Sequence, residues 1–345
     1  MISIDKKELR HIIKVSVKIL SFALVFVLIV EILSLTTFSK KNAANYKTAL
    51  NKAYAFLKEP DNTIDVLGIG NSDLYSSVVP AQLWSDYGYT CSLISSPRQT
   101  PQKSYKMLQT FYEKQKPSVV IIEIDMLYDD MVADRADIVN DENMLDFFFD
   151  RMSSDALDNY VYDIFPLFTF HDKWKKAGKG DDIPDSHGYK YSSDLHRVKI
   201  GDYMKYTDKK EPIKLIHSEY LKEMVNYCKE QGSSVILMES PSITSWNYER
   251  HNAAQELADE SGVEFIDLNL LPDEIGVDLN MAFRDKGNHL NYFSACEVTK
   301  LLGKYISTHF EMTDRRGDSS YKFYDDSIKR FYKQIAPDLK KYENV

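Results

Sequence analysis

The hydrophobic pattern of this chain has two regimes. From Ile19 to Phe38 it is nearly unbroken, "ILSFALVFVLIVEILSLTTF", with Glu31 its one charge. A run of about 20 apolar residues is the length of a bilayer-crossing helix. It has no polar face that would suit a buried amphipathic helix. Lys6, Lys7, Arg10, Lys14 and Lys18 precede the run, and Lys40 and Lys41 follow it. The positive-inside rule therefore places residues 1–18 in the cytoplasm and everything beyond Lys40 outside. The apolar core exceeds the roughly 7–15 residues of a cleaved signal, and no small-x-small site follows, so residues 19–39 are read as an uncleaved anchor.

Beyond the anchor the pattern alternates. Tyr46, Leu50, Ala53 and Leu57 recur at helical spacing, which predicts a stalk helix within 40–60 that breaks at Glu59-Pro60-Asp61-Asn62. Short apolar runs then predict strands at 64–70, 89–95, 117–125, 233–240 and 263–268. Helices are predicted from Pro80, at 102–115, 214–232, 247–262 and 291–310. Continuous apolar strands separated by helices imply a parallel sheet covered on both faces. The expected fold is an α/β class, three-layer α/β/α sandwich over 61–312. Residues 126–212 lack the rhythm and are rich in Asp, Tyr and Phe, which predicts a largely helical insertion or lid. Residues 313–345 are a polar tail with scattered tyrosines, read as a last helix or a frayed end.

Composition narrows the function. The net charge of −9 argues against nucleic acid as a partner. Cys91, Cys228 and Cys296 form neither a metal spacing nor a disulfide framework. Asp181, Asp182 and Asp185 lack the pattern of a calcium loop, and "HNAAQE" from His251 is not a zinc helix, so no metal and no cofactor are expected.

Candidate chemistry begins at "GNS", Gly70-Asn71-Ser72, where the first strand ends. Ligands of an open parallel sheet bind at the carboxyl ends of its strands. A serine there can be a nucleophile if a histidine takes its proton and a carboxylate orients the histidine. On its own, Ser72 reads equally as a helix cap. Of the eight histidines, His289 alone stands in a loop after the last strand and before the last helix, "FRDKGNHLNYFSA", with Asp285 in the same loop.

Gly70-Asn71-Ser72 after the first strand and Asp285…His289-Leu290-Asn291 before the last helix resemble the SGNH/GDSL hydrolase family. The likeness is greatest to its membrane-anchored members, such as the lipoteichoic-acid D-alanylation protein and the exopolysaccharide O-acetylation proteins. The resemblance implies Ser72 as nucleophile, His289 as general base and acid, and Asp285 as its orienter. It also implies a cell-surface polymer or glycan as substrate and a membrane-bound O-acyltransferase as partner in the bilayer. The family spaces its last block Asp-x-x-His, whereas three residues separate the pair here, a difference that Gly287 can absorb. Its oxyanion-hole glycine and asparagine have no counterpart in "SSPRQTP" or "EIDMLYDD".

Asn71, Asp73, Ser96, Gln99, Trp246 and Asn291 are the candidates for oxyanion or substrate contacts. Trp246 is read as a sugar platform or as packing, and Asp73 also as a turn former. The expectation is thus an extracytoplasmic acyl esterase or acyltransferase, with a non-catalytic glycan-binding or scaffolding subunit as the alternative.

Overall fold

The computed structural model describes residues 5–38, 52–129, 167 and 185–341. Helix α1, Lys6–Leu35, contains the apolar run as far as Leu35. It is long and apolar enough to cross a bilayer.

The sheet has five parallel strands, β1 Val66–Gly70, β2 Cys91–Ser95, β3 Val119–Glu123, β4 Ser234–Glu239 and β5 Glu264–Asp267, in the order β2-β1-β3-β4-β5. All four pairings are parallel, with Ile69 opposite both Ile94 and Ile122. Every residue of β1, β2 and β3 is buried, which is why these strands read as continuous apolar runs. The helices are α2 Pro80–Tyr87, α3 Pro101–Tyr112, α4 Leu215–Glu230, α5 Tyr248–Ser261, α6 Tyr292–His309 and α7 Lys322–Leu339. They pack as two groups flanking the sheet, α2 with α6 and α7, and α3 with α4 and α5. Right-handed crossovers in this strand order put those groups on opposite faces. The direction of winding reverses between β1 and β3, which opens a crevice at their carboxyl ends.

Of the proposed stalk within 40–60, residues 40–51 lie outside the described residues. Residues Ala55–Lys58 form a 3-10 turn, and Ala53 and Phe56 enter the core, with the Phe56 ring 4.7 Å from that of Phe111. The tail takes the first of its two expected forms and packs as a last helix. Helix α7 buries Tyr324, Ile328, Phe331 and Ile335. The Tyr324 hydroxyl accepts from the Cys91 N–H and donates to the Cys91 carbonyl, both at 2.8 Å, and Leu93 N–H reaches the His187 carbonyl at 2.9 Å. The open edge of β2 is thereby covered, as exposed edges require. Within the insertion, residues 185–212 run without helix, Asp125–Tyr128 form a 3-10 turn at its start, and residues 130–166 and 168–184 lie outside the described residues.

Candidate active site

Position 72 is set by its neighbours. After Gly70 the chain leaves β1, and the Asn71 side chain closes a local turn by accepting the Asp73 N–H at 2.8 Å. The following helical turn, Leu74–Ser77, is four residues long and begins at Asp73, whose side chain makes no capping bond. The residue with a capping function is therefore Asn71, not Ser72. Half-buried Ser72 keeps its side chain beside the Tyr75 hydroxyl, and its carbonyl accepts from Ser76 Oγ at 2.6 Å.

The last loop builds the partner pair. Asp285 Oδ1 gathers the N–H groups of Gly287, Asn288 and His289 at 3.1, 2.8 and 3.1 Å. Its Oδ2 lies 2.5 Å from His289 Nδ1. The extra residue in this loop is absorbed at Gly287, where φ is +112° and a Cβ would lie 2.3 Å from Ile243 Cγ1. Burial would raise the Asp285 carboxyl, but the bonds from the His289 ring and from the backbone of Asn288 and His289 outweigh it and hold it low. Burial pushes the His289 imidazole below its ordinary value, Asp285 works the other way, and the Arg284 and Lys190 charges add to the lowering. His289 is therefore kept neutral, with Nδ1–H toward Asp285 and a basic Nε2.

That Nε2 faces Asp73 Oδ1 at 3.4 Å and Asn288 Nδ2 at 3.3 Å. Among the described residues no hydrogen bond joins it to Ser72. Arg284 borders the site, with Nη2 donating to Ser76 Oγ at 2.9 Å and its backbone N–H to the His289 carbonyl at 2.9 Å. Asn288 was not singled out in the sequence. Its Oδ1 accepts from Ser242 Oγ and Thr244 Oγ1 at 2.9 and 3.0 Å, which turns its amide hydrogens toward Asp73 and His289.

The remaining candidates prove to be braces. Both Asn71 amide hydrogens are engaged, on Asp125 Oδ2 at 3.0 Å and Asp129 Oδ2 at 2.8 Å. Gln99 Nε2 donates to the Ile94 carbonyl and to Ser104 Oγ, both at 3.0 Å, while Ser96 Oγ donates to Gln99 Oε1 and accepts from Lys103. No side-chain amide of Asn71 or Gln99 is left for an oxyanion. Trp246 is 2% exposed and donates to Asp267 Oδ2 at 2.9 Å, so its ring is core and no sugar platform. Asn291 is fully buried, capping α6 through the Ser294 N–H at 3.1 Å and holding the Met281 carbonyl at 2.8 Å. A second histidine–carboxylate pair, His251 with Asp267 at 2.8 Å, shares its acceptor oxygen with Trp246 and lies by β5.

No protein-family model matches this chain, and no curated protein sequence does. Among solved structures it is similar to a protein assigned to the lipolytic G-D-S-L family from Desulfitobacterium hafniense DCB-2. That match has 15% identity and a TM-score of 0.37, over 70% of this chain and 99% of that one. A lipase/acylhydrolase from Enterococcus faecalis matches at 11% identity and a TM-score of 0.37, over 72% and 99%. A catalytic mutant of an acetylxylan esterase from Geobacillus stearothermophilus matches at 13% identity and 0.33, over 73% and 96%.

Proposed function

We propose that this chain is a membrane-anchored, SGNH-type serine acyl esterase or acyltransferase that works outside the cytoplasm on a cell-surface polymer or glycan. One observation carries the reading. His289, oriented by the Asp285 carboxylate 2.5 Å from its Nδ1, stands just before α6, while Ser72 stands at the end of β1 on the same edge of the sheet.

In this reading the Ser72 hydroxyl turns from Tyr75 to His289 Nε2, which takes its proton as the oxygen attacks the acyl carbonyl. The tetrahedral oxyanion meets the Ser72 backbone N–H, which donates to no described residue. His289 then gives its proton to the leaving oxygen, and an acyl-serine forms. Water or a polymer hydroxyl, deprotonated by His289, releases the acyl group in the second half. Asp285 stays ionised and stabilises the imidazolium. Helix α1 would hold this chemistry beside the surface, within reach of a membrane-bound O-acyltransferase as acyl source.

The alternative is a non-catalytic glycan-binding or scaffolding subunit. It is favoured by the engaged amides of Asn71 and Gln99, since losing one oxyanion donor costs a factor of about 100–1000 in turnover. The deciding experiment uses the full chain in detergent with p-nitrophenyl acetate, beside Ser72→Ala and His289→Ala. Activity that both substitutions abolish, with acetyl-Ser72 trapped by mass spectrometry, supports the triad. Activity unchanged in both sinks it, and an inactive wild type that still binds glycan favours the scaffold.

A further inference from the structure

Three neighbouring strands, β1, β3 and β4, deliver acidic side chains to one place, and the proposed serine chemistry uses none of them. Asp73 follows β1, Glu123 ends β3 with Asp125 just beyond, and Glu239 ends β4. Asp73, Glu123 and Glu239 are at most 1% exposed and Asp125 is 8% exposed. Carboxylate oxygens of Asp73, Glu123 and Asp125 lie within 4.8 Å of one another. Among the described residues the cation touching them is Arg250, 3.2 Å from Asp125 Oδ1 and shared with Glu211 at 2.9 Å.

The bonds these groups accept leave capacity over. Glu123 takes one N–H on each oxygen, from Asp125 at 2.7 Å and Asn71 at 2.9 Å. Each carboxylate oxygen has a second lone pair. A separate observation points the same way. Both oxygens of Glu239 are buried without a partner among the described residues, as is Asp73 Oδ2. The charges that Glu239 feels most are those of Glu123, Asp125 and Asp73, in that order, so its carboxylate confronts the same group. Buried polar atoms are nearly always paired, and an orphaned one calls for an explanation.

Four buried carboxyls beside one shared guanidinium leave an excess of negative charge, and an ion removed from water without compensation costs several kcal/mol. Something positive must share the space, either bound protons or a cation. The spacing favours the cation. An ion with oxygens at about 2.0–2.6 Å holds those oxygens roughly 3–5 Å from one another. A donor set of carboxylates alone, with no imidazole or thiolate, suits hard ions over zinc or copper.

We propose that Asp73, Glu123 and Asp125, faced by Glu239, bind a hard divalent cation, calcium before magnesium or manganese, that ties together the ends of β1, β3 and β4. The ion fixes Asp73, and through it the turn that carries Ser72. This assignment stands whether or not Ser72 is a nucleophile.

The test needs no substrate. Full-length protein in detergent is stripped with EDTA, then given calcium, magnesium or manganese chloride separately. Bound metal is counted by plasma mass spectrometry, and unfolding is followed by circular dichroism. The expected result is about one ion per chain and a Tm higher by roughly 5–10 °C at saturation. Both are lost in Glu123→Gln and Glu239→Gln. A wild type that retains no metal and melts identically with and without each ion overturns the proposal, because protons then fill the role. Binding that persists undiminished in Asp73→Asn, Glu123→Gln and Glu239→Gln overturns it too, since the ion then sits elsewhere. Variants too unstable to purify leave the wild-type measurement to decide.

Discussion

His289 is held between two carboxylates: Asp285 at 2.5 Å on Nδ1 and Asp73 at 3.4 Å on Nε2. The two are not equivalent. Asp285 is kept low by its hydrogen bonds, while burial and the charges of Asp125, Asp129 and Asp285 raise Asp73 well above the usual carboxylate range. Nε2, the nitrogen that must receive the serine proton, meets Asn288 Nδ2 at 3.3 Å. That contact opens before the base is free.

The pH profile follows from the sign of the His289 shift. Its value lies below 6.5, so the base stays neutral through pH 6.5, and kcat/KM falls on the acid side of it. Asp285→Asn removes the group that raises His289, so it moves this limb to still lower pH. It also drops the plateau by a factor on the order of 10⁴. Ester hydrolysis measured from pH 4 to 8 checks both. The same shift makes the fold lose stability as pH falls from 6.5 through the folded value, since the unfolded chain takes the proton more readily.

Gly287→Ala tests the accommodation of the extra loop residue. At φ +112° and with Ile243 2.3 Å from the new Cβ, the substitution strains backbone and neighbour together. A loss of about 1–3 kcal/mol in chemical denaturation is expected. Activity falls further than stability, because the N–H cradle around Asp285 shifts.

Asn291→Ala separates a cap from a binding residue. Losing the cap costs about 1 kcal/mol, and the Met281 carbonyl loses its partner as well. KM is unchanged, because Asn291 is fully buried and meets no substrate. A raised KM with unaltered stability would contradict this placement.

Tyr324→Phe leaves the Cys91 N–H and carbonyl without their 2.8 Å partner. Each unsatisfied buried group costs about 1–3 kcal/mol. A urea unfolding midpoint lowered to match, with far-UV circular dichroism retained, is the expected outcome.

Strands β1 to β4 were legible because their burial is nearly complete, whereas in the edge strand β5 only Asp267 is fully buried. Their ends were not. Tyr89 and Thr90 read as the start of β2, yet the Thr90 carbonyl accepts from Asp65 and Val66, and the register with β1 begins at Cys91. The Asp285–His289 pair was legible because one loop carries both residues. Asn71 could have been read as a turn former, since an Asn two residues ahead of an N–H is a local signal. Trp246 could not be read, because its partner Asp267 lies 21 residues away on β5. The acidic group was equally hidden. Its members come from three strands and share no spacing in the chain.

Tyr324 also imposes an order of events on synthesis. A chain made from its N-terminus completes β1, β2 and β3 long before it reaches residue 324, which lies 233 positions beyond Cys91. Until then the outer side of β2 at Cys91 lacks its partner, with only Leu93 already met by the His187 carbonyl. The last long helix therefore works as a latch, and a ribosome halted before residue 322 would release a sheet still able to recruit strangers.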